Sequence, residues 1–221
     1  MSDTKPQQEG GPPWAARAFA FILGCAVLAF GIALTVKTGF GAASWDVLHV
    51  AVAERLGITI GQANIAVACG VLVVTLLLGG AWSVRWGTIA NTIVIGTCVD
   101  LYLWLGIPDP GPLWAKVLYL AAGVFCLALG SVLYTRVGFG TGTRDGLCLV
   151  LSQRLPLTVG RVRLLVEFIA ALTGWALGGP VGVGTAVIVL TTGPIADLLF
   201  RVLGRGMLPA TVRIPEPAAR R

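Results

Sequence analysis

The chain has 221 residues, 56% of them hydrophobic and only 12% charged, with a mean hydropathy of +0.87. A soluble domain carries about 25% charged residues, so this composition excludes a soluble enzyme or binding module and indicates a multi-span membrane protein with no sizeable soluble domain. The formal net charge of +6 would suggest nucleic acid in a soluble protein, but here Lys and Arg sit in short loops and tails, where they set topology.

Residues 1–14 are polar and rich in Pro and Gly, the composition of a disordered tail. A first membrane unit is expected over 15–105. Its opening apolar run, 15–36, is too long for a signal-peptide core, and no convincing small-residue cleavage site follows it, so it reads as a span. The runs 61–78 and 87–105 follow. The linker 106–113 contains GIPDPGP, whose prolines break any helix. A second unit over 114–203 holds the runs 114–134, 162–177 and 184–203, and 204–221 is a basic tail. Each run is near the about 20 residues that cross a bilayer as helix, and helix is required because lipid offers the backbone no hydrogen-bond partner.

Two shorter pieces, 44–56 and 143–155, each begin with a hydroxyl residue at the expected N-cap, Ser44 or Thr143, and place an aspartate in the first turn. Helices of about 13 residues are roughly 20 Å long, short of the roughly 30 Å hydrocarbon core, so they are expected at half depth. The fold class is therefore all-α, a polytopic bundle of six spanning helices plus two half-depth helices. Six spans put thirteen Lys and Arg inside and leave Lys37, Arg55 and Lys116 outside, with both termini cytoplasmic. If the short helices crossed fully, the division would be twelve to four, so charge barely separates the two topologies and helix length decides.

The chain also repeats itself. The segment 39–61, GFGAASWDVLHVAVAERLGITIG, aligns with 138–160, GFGTGTRDGLCLVLSQRLPLTVG, at nine identical positions of 23. Gly24 and Gly31 align with Gly123 and Gly130, and 87–101 aligns with 184–198. Such self-similarity implies duplication into two homologous halves; three spans in each would invert one half relative to the other.

Candidate ligand-binding residues come from the repeat. Gly39, Gly41, Gly138 and Gly140 interrupt the helix at matching places, which in transporters marks the binding site; a plain helix stop is the simpler reading. Asp46 and Asp145 either favour their helix N-termini electrostatically or bind a cation or proton. Arg144, aligned with Trp45, offers a competing anion site or a partner for an acid. Asp100 and Asp197 recur near the far ends of their spans; Asp197 has Arg201 one turn on. Asn91 has no polar counterpart and is placed to bridge helices or line a path. Glu167 is expected to pair with Arg163. His49, the single histidine, follows Asp46 by three residues on one helical face and either titrates near neutral pH with it or, as a lone histidine more often does, serves as a satisfied packing residue; it is no duplicated catalytic element, because Cys148 stands at its aligned position. The five cysteines lie in apolar stretches without a CxxC pair and read as buried thiols. No Ser-His-Asp order, HExxH or GKS/T string is present. Neither catalysis, a metal nor a cofactor is expected.

The segment 39–61, followed by Gly87, Thr88, Asn91, Gly96 and Asp100, resembles the bacterial YczE-like integral membrane proteins of the YczE/YyaS/YitT group, over roughly residues 17–205. Ser44 stands where a proline is expected before the Trp-Asp pair, and Arg144 replaces the tryptophan in the second copy. The resemblance implies a multi-pass bacterial inner-membrane protein and no particular substrate. The residues favour a transporter or channel for a small solute; the alternative is a non-transporting accessory that stabilises or regulates a partner. The expected partners are the lipid bilayer and a small solute, not nucleic acid, with a second copy of the chain or another membrane protein left open.

Overall fold

A computed structural model describes residues 13–140 and 142–204, so nearly all of the two expected tails lies outside the described residues. The described residues form helices α1 (Trp14–Lys37), α2 (Ser44–Leu56), α3 (Ile60–Leu77), α4 (Trp86–Trp104), α5 (Leu113–Arg136), α6 (Thr143–Arg154), α7 (Val159–Ala176) and α8 (Val183–Gly204), with one 3-10 turn at Ala81–Ser83 and no strand. The bundle is all-α, as the bilayer demands. Five helices, α1, α3, α4, α5 and α8, are long and apolar enough to cross a membrane. The expected sixth, α7, has the same 18 residues as α3 but carries Arg161, Arg163 and Glu167 in its first half.

Helix pairing follows the small residues. α1 packs most extensively on α5, and the two run antiparallel: Arg17 donates to the Val137 carbonyl at 2.7 Å, Gly24 faces Gly130, and Gly31 faces Gly123. A Cβ on Gly24 would stand 2.6 Å from the Tyr134 backbone nitrogen, and one on Gly31 2.8 Å from the Gly123 carbonyl oxygen. Without a hydrophobic force between helices in lipid, close backbone approach at small residues supplies the van der Waals contact that holds them. α3 and α4 also run antiparallel, through Gly61 and Gly96.

These contacts fix where α2 leads. Lys37, at the end of α1, bonds Asp109 of the α4–α5 linker at 2.8 Å. Thr59, just before α3, bonds Asp100 near the end of α4 at 2.6 Å. The chain thus leaves α1 and enters α3 at the same end of the bundle, and α2, with the loop before it, dips in and returns. The same holds for α6. The loop after α5 lies against Gly87 at the start of α4, and Arg154 at the end of α6 approaches Gly79 just beyond α3. All these groups sit at the opposite end. Two apolar clusters result. One joins α1, α4, α5 and α8 around Phe21, Ile32, Val99, Leu127 and Ile188. The other joins α2, α3, α6 and α7 around Trp45, Leu147, Val162 and Val166. Phe19, Leu77, Phe168 and Leu190 are exposed on the outside, the side-chain chemistry a lipid-facing surface needs.

Candidate functional site at the first turns of α2 and α6

Each short helix is preceded by a GFG turn that only glycine can make. Gly39 and Gly41 have φ of 68° and 105°, and Gly138 has 72°. Gly41 is also crowded: a Cβ would collide with Thr185 Oγ1 and approach the Gly182 nitrogen to 2.6 Å. Gly140 sits beside the Thr88 backbone nitrogen, 3.1 Å from a Cβ placed there. The first turn docks on the loop between α7 and α8, where Gly184 N–H donates to the Phe40 carbonyl at 2.8 Å and Ala42 N–H to the Pro180 carbonyl at 3.2 Å. Ser44 and Thr143 are buried, but neither caps its helix. The N-caps are Ala43 and Gly142, with no side-chain bond. The expectation of hydroxyl caps is one residue off, because the extended backbone of each turn runs on to the residue before the hydroxyl.

On α2, Asp46 and His49 share one helical face and are each 1% exposed. His49 Nδ1 lies 3.2 Å from Asp46 Oδ1 and 3.3 Å from Nδ2 of Asn64 on α3, itself buried. A protonated Nδ1 donates to the carboxylate; a bare Nδ1 accepts from the amide. On α6, Asp145 Oδ1 is 3.7 Å from an Arg163 guanidinium nitrogen, and Arg163 Nε donates to Glu167 Oε1 at 3.1 Å. This Arg163–Glu167 bond is the pair expected from the sequence, and Asp145 extends it to three groups. Arg144 of α6 stacks 5.0 Å over the Trp45 ring of α2, linking the two first turns.

A methyl group on Gly142 would lie 3.4 Å from Tyr134 Oη, 3.7 Å from Asp145 Oδ2 and 3.8 Å from Asn91 Oδ1. Three oxygens from α4, α5 and α6 therefore surround one small space. Asn91 is buried and orients its amide by donating to Cys25 Sγ at 3.4 Å. Asp46, Asp145 and Asn91 are thus near the first turns, with the GFG loops leading in. Asp100 is elsewhere: it accepts from Thr59 Oγ1 and from Gly61 N–H at 2.7 Å, which ties α3 to α4. Asp197 is exposed on α8, with no ion pair to Arg201 among the described residues.

Asn64 and Tyr134 were not singled out in the sequence. Carrying the 99-residue offset past Gly61 pairs Asn64 with Arg163 and Thr35 with Tyr134, polar positions in both copies, and that was the available signal. The arrangement places Asp145 and Glu167 around Arg163 on one side and Asp46 against His49 on the other, with Arg144 stacked on Trp45 between the two first turns.

Over residues 15–201 the chain matches the model of a protein family described as "Family of unknown function (DUF6198)". It is 28% identical to "Uncharacterized membrane protein YczE" of Bacillus subtilis, covering 79% of this chain and 81% of the relative. It is 30% identical to an "Uncharacterized protein" of Haemophilus influenzae, over 81% of each, and 24% identical to "Uncharacterized protein YyaS" of Bacillus subtilis, over 84% and 93%. No solved structure matches. The chain is a membrane protein belonging to the family DUF6198, with YczE and YyaS among its relatives.

Proposed function

We propose that the protein is a non-enzymatic transporter or channel for a small solute, with its binding site between the first turns of α2 and α6. The observation that carries this reading is the contact between two interrupted segments, each bringing an aspartate, where Arg144 stacks on Trp45. Interrupted helices at corresponding places in two repeats line substrate sites in secondary transporters, and alternating access then comes from motion of one repeat against the other. The reciprocal contacts of Gly24 with Gly130 and Gly31 with Gly123, positions that align as 24 with 123 and 31 with 130, support two inverted halves about an axis between α1 and α5. In a two-fold contact residue i meets j while the counterpart of j meets that of i. The charge distribution supports a bacterial inner-membrane location with both termini in the cytoplasm.

Asp46→Asn and Asp145→Asn, made singly and together, test the reading with stability and solute flux measured on the same liposome preparations. Asn keeps the shape and loses the charge. Loss of the helix-dipole interaction costs about 0.3–1 kcal/mol per site, and at Asp46 the buried contact with His49 is weakened as well, so the stability measurement decides which variants fold; in a folded double variant flux is expected to disappear. Normal flux in the double variant removes the shared site. Silence of the wild type across a broad solute panel, together with a stoichiometric partner, gives the function to an accessory protein instead.

A further inference from the structure

We propose that His49 and Asp46 form a proton-binding site on α2, through which a pH gradient drives the solute bound between α2 and α6. The proposal rests on the transport reading for its coupling partner, but the proton site can be tested without it. Three observations carry it. First, imidazole and carboxylate face each other at 3.2 Å, both sealed from solvent, so the pair is not the screened surface contact that contributes almost nothing. Second, His49 has two acceptable partners on one nitrogen. In the neutral ring with its proton on Nε2, Nδ1 accepts from Asn64. When a proton is added at Nδ1 the ring becomes a cation, turns its bond to Asp46 Oδ1, and releases the amide. Loss of that proton reverses both changes. Nδ1 thus has a partner whether or not it carries a proton. Third, the stripe Asp46, His49, Val50, Ala53 runs along one face of α2, and Val50 and Ala53 line a groove of about 760 Å³ at the end of the bundle. Glu54 and Asp100 line the same groove, so acidic side chains stand at the end of the bundle towards which the stripe runs.

The surroundings of the ring are specific. Its own helix supplies Asp46, α3 supplies the uncharged Asn64, and α6 supplies Arg144, stacked on Trp45 in the same turn of α2 as Asp46. α7 meets α2 through Gly174 at Val47 and Leu48. A solute cation bound between α2 and α6 disfavours the nearby imidazolium, because like charges repel. Binding of the cation therefore expels the proton, the linkage an antiporter requires.

The chain has one histidine, so full-length protein labelled with 15N-histidine gives a single imidazole to follow by NMR. Over the pH range in which the protein stays folded the ring is expected to change charge, with its midpoint held below that of a free imidazole because burial disfavours the cation, and Asp46→Asn is expected to lower the midpoint further, because the carboxylate within hydrogen-bond reach favours the cation. Ethylammonium, as a probe cation, is expected to lower the midpoint of the wild type. A ring that keeps one protonation state across the range overturns the proposal, as does a midpoint unmoved by Asp46→Asn. The wild-type measurement needs no variant to fold. Flux separates the two claims. If His49→Gln retains downhill solute flux but loses its dependence on an imposed pH gradient, the coupling stands. If it keeps full dependence, the coupling fails while the transporter survives. If no protein fluxes any solute yet the ring titrates with Asp46 as partner, the proton site stands and the transport reading falls.

Discussion

Asp46 and Asp145 occupy the same turn of α2 and α6, and their surroundings differ. Asp46 has His49 and Asn64 around it, and its side chain and that of His49 are 2% exposed. Asp145 has Arg163 and, through it, Glu167, with side-chain exposures of 35%, 61% and 25%. Beside the first site α3 and α4 close tightly at Gly61, where an added Cβ would strike the Gly96 carbonyl. Beside the second, α7 and α8 hardly touch. The difference follows from the cost of burying charge. An aspartate beside a single titratable ring can be enclosed, because the pair has an arrangement with one net charge. A network of two carboxylates and a guanidinium loses several kcal/mol per ion on leaving water, so it stays at an open mouth. The aligned positions that face each acid differ, His49 against Cys148 and Asn64 against Arg163, while the acids themselves are the same.

The sharpest way to break this comparison is chemical access. Asn64→Cys and Arg163→Cys occupy aligned positions. In a background with the native cysteines replaced, a thiol reagent is expected to label position 163 in the native protein. Position 64 is expected to stay unlabelled until the protein is denatured. Equal labelling of both would mean that the first site is no more sealed than the second.

Energetic asymmetry is next in size. Gly61 aligns with Gly160. A Cβ on Gly61 would also come within 2.6 Å of the Asp100 carboxylate, whereas a Cβ on Gly160 meets nothing within 4 Å. Gly61→Ala is expected to destabilise by about 2–3 kcal/mol, as overpacking of a close contact does. Gly160→Ala is expected to stabilise by up to about 1 kcal/mol, because alanine is the better helix former. Thermal unfolding of the purified proteins measures both. Equal losses would show that α7 packs as tightly as α3.

Much of this was legible in the chain. The apolar runs located the long helices to within one to three residues, since in lipid a run of that length has one available structure. The first short helix begins and ends where the shortness of 44–56 placed it, and the second ends one residue early, at Arg154. The repeat pointed to Asp46 and Asp145 as a matched pair. It also made them look equivalent, and that was its limit. An alignment reports what two copies share, while sealing depends on which helices close, and closure at Gly61 but not Gly160 is a property of partners on α4 and α8. The roles of the other acids were hidden for the same reason. Asp100 and Asp197 align, yet Asp100 is held by Thr59 and the Gly61 N–H and Asp197 is exposed. The charges of α7 read as a local ion pair, because Asp145 reaches Arg163 only once α6 has folded back.

The smallest expected effect tests the same asymmetry at the helix starts. Thr59 and Thr158 are identical residues at the N-caps of α3 and α7. Thr59 accepts from Gln62 N–H at 3.1 Å, Gln62 returns a bond to the Thr59 N–H, and its hydroxyl donates to Asp100. Thr158 makes no side-chain cap bond. Thr59→Ala removes a cap and a partner of a carboxylate, an expected loss of about 1–2 kcal/mol. Thr158→Ala removes neither and is expected to stay within about 0.5 kcal/mol of the wild type. Thr59→Ser should restore most of the loss, since it keeps the oxygen. The part due to Asp100 can be isolated in a double-mutant cycle. With Asp100→Asn in place, the cost of Thr59→Ala should fall towards that of the cap alone. If it does not fall, the hydroxyl serves only the helix start, and the α3–α4 clamp rests on the glycine contact and the Gly61 N–H.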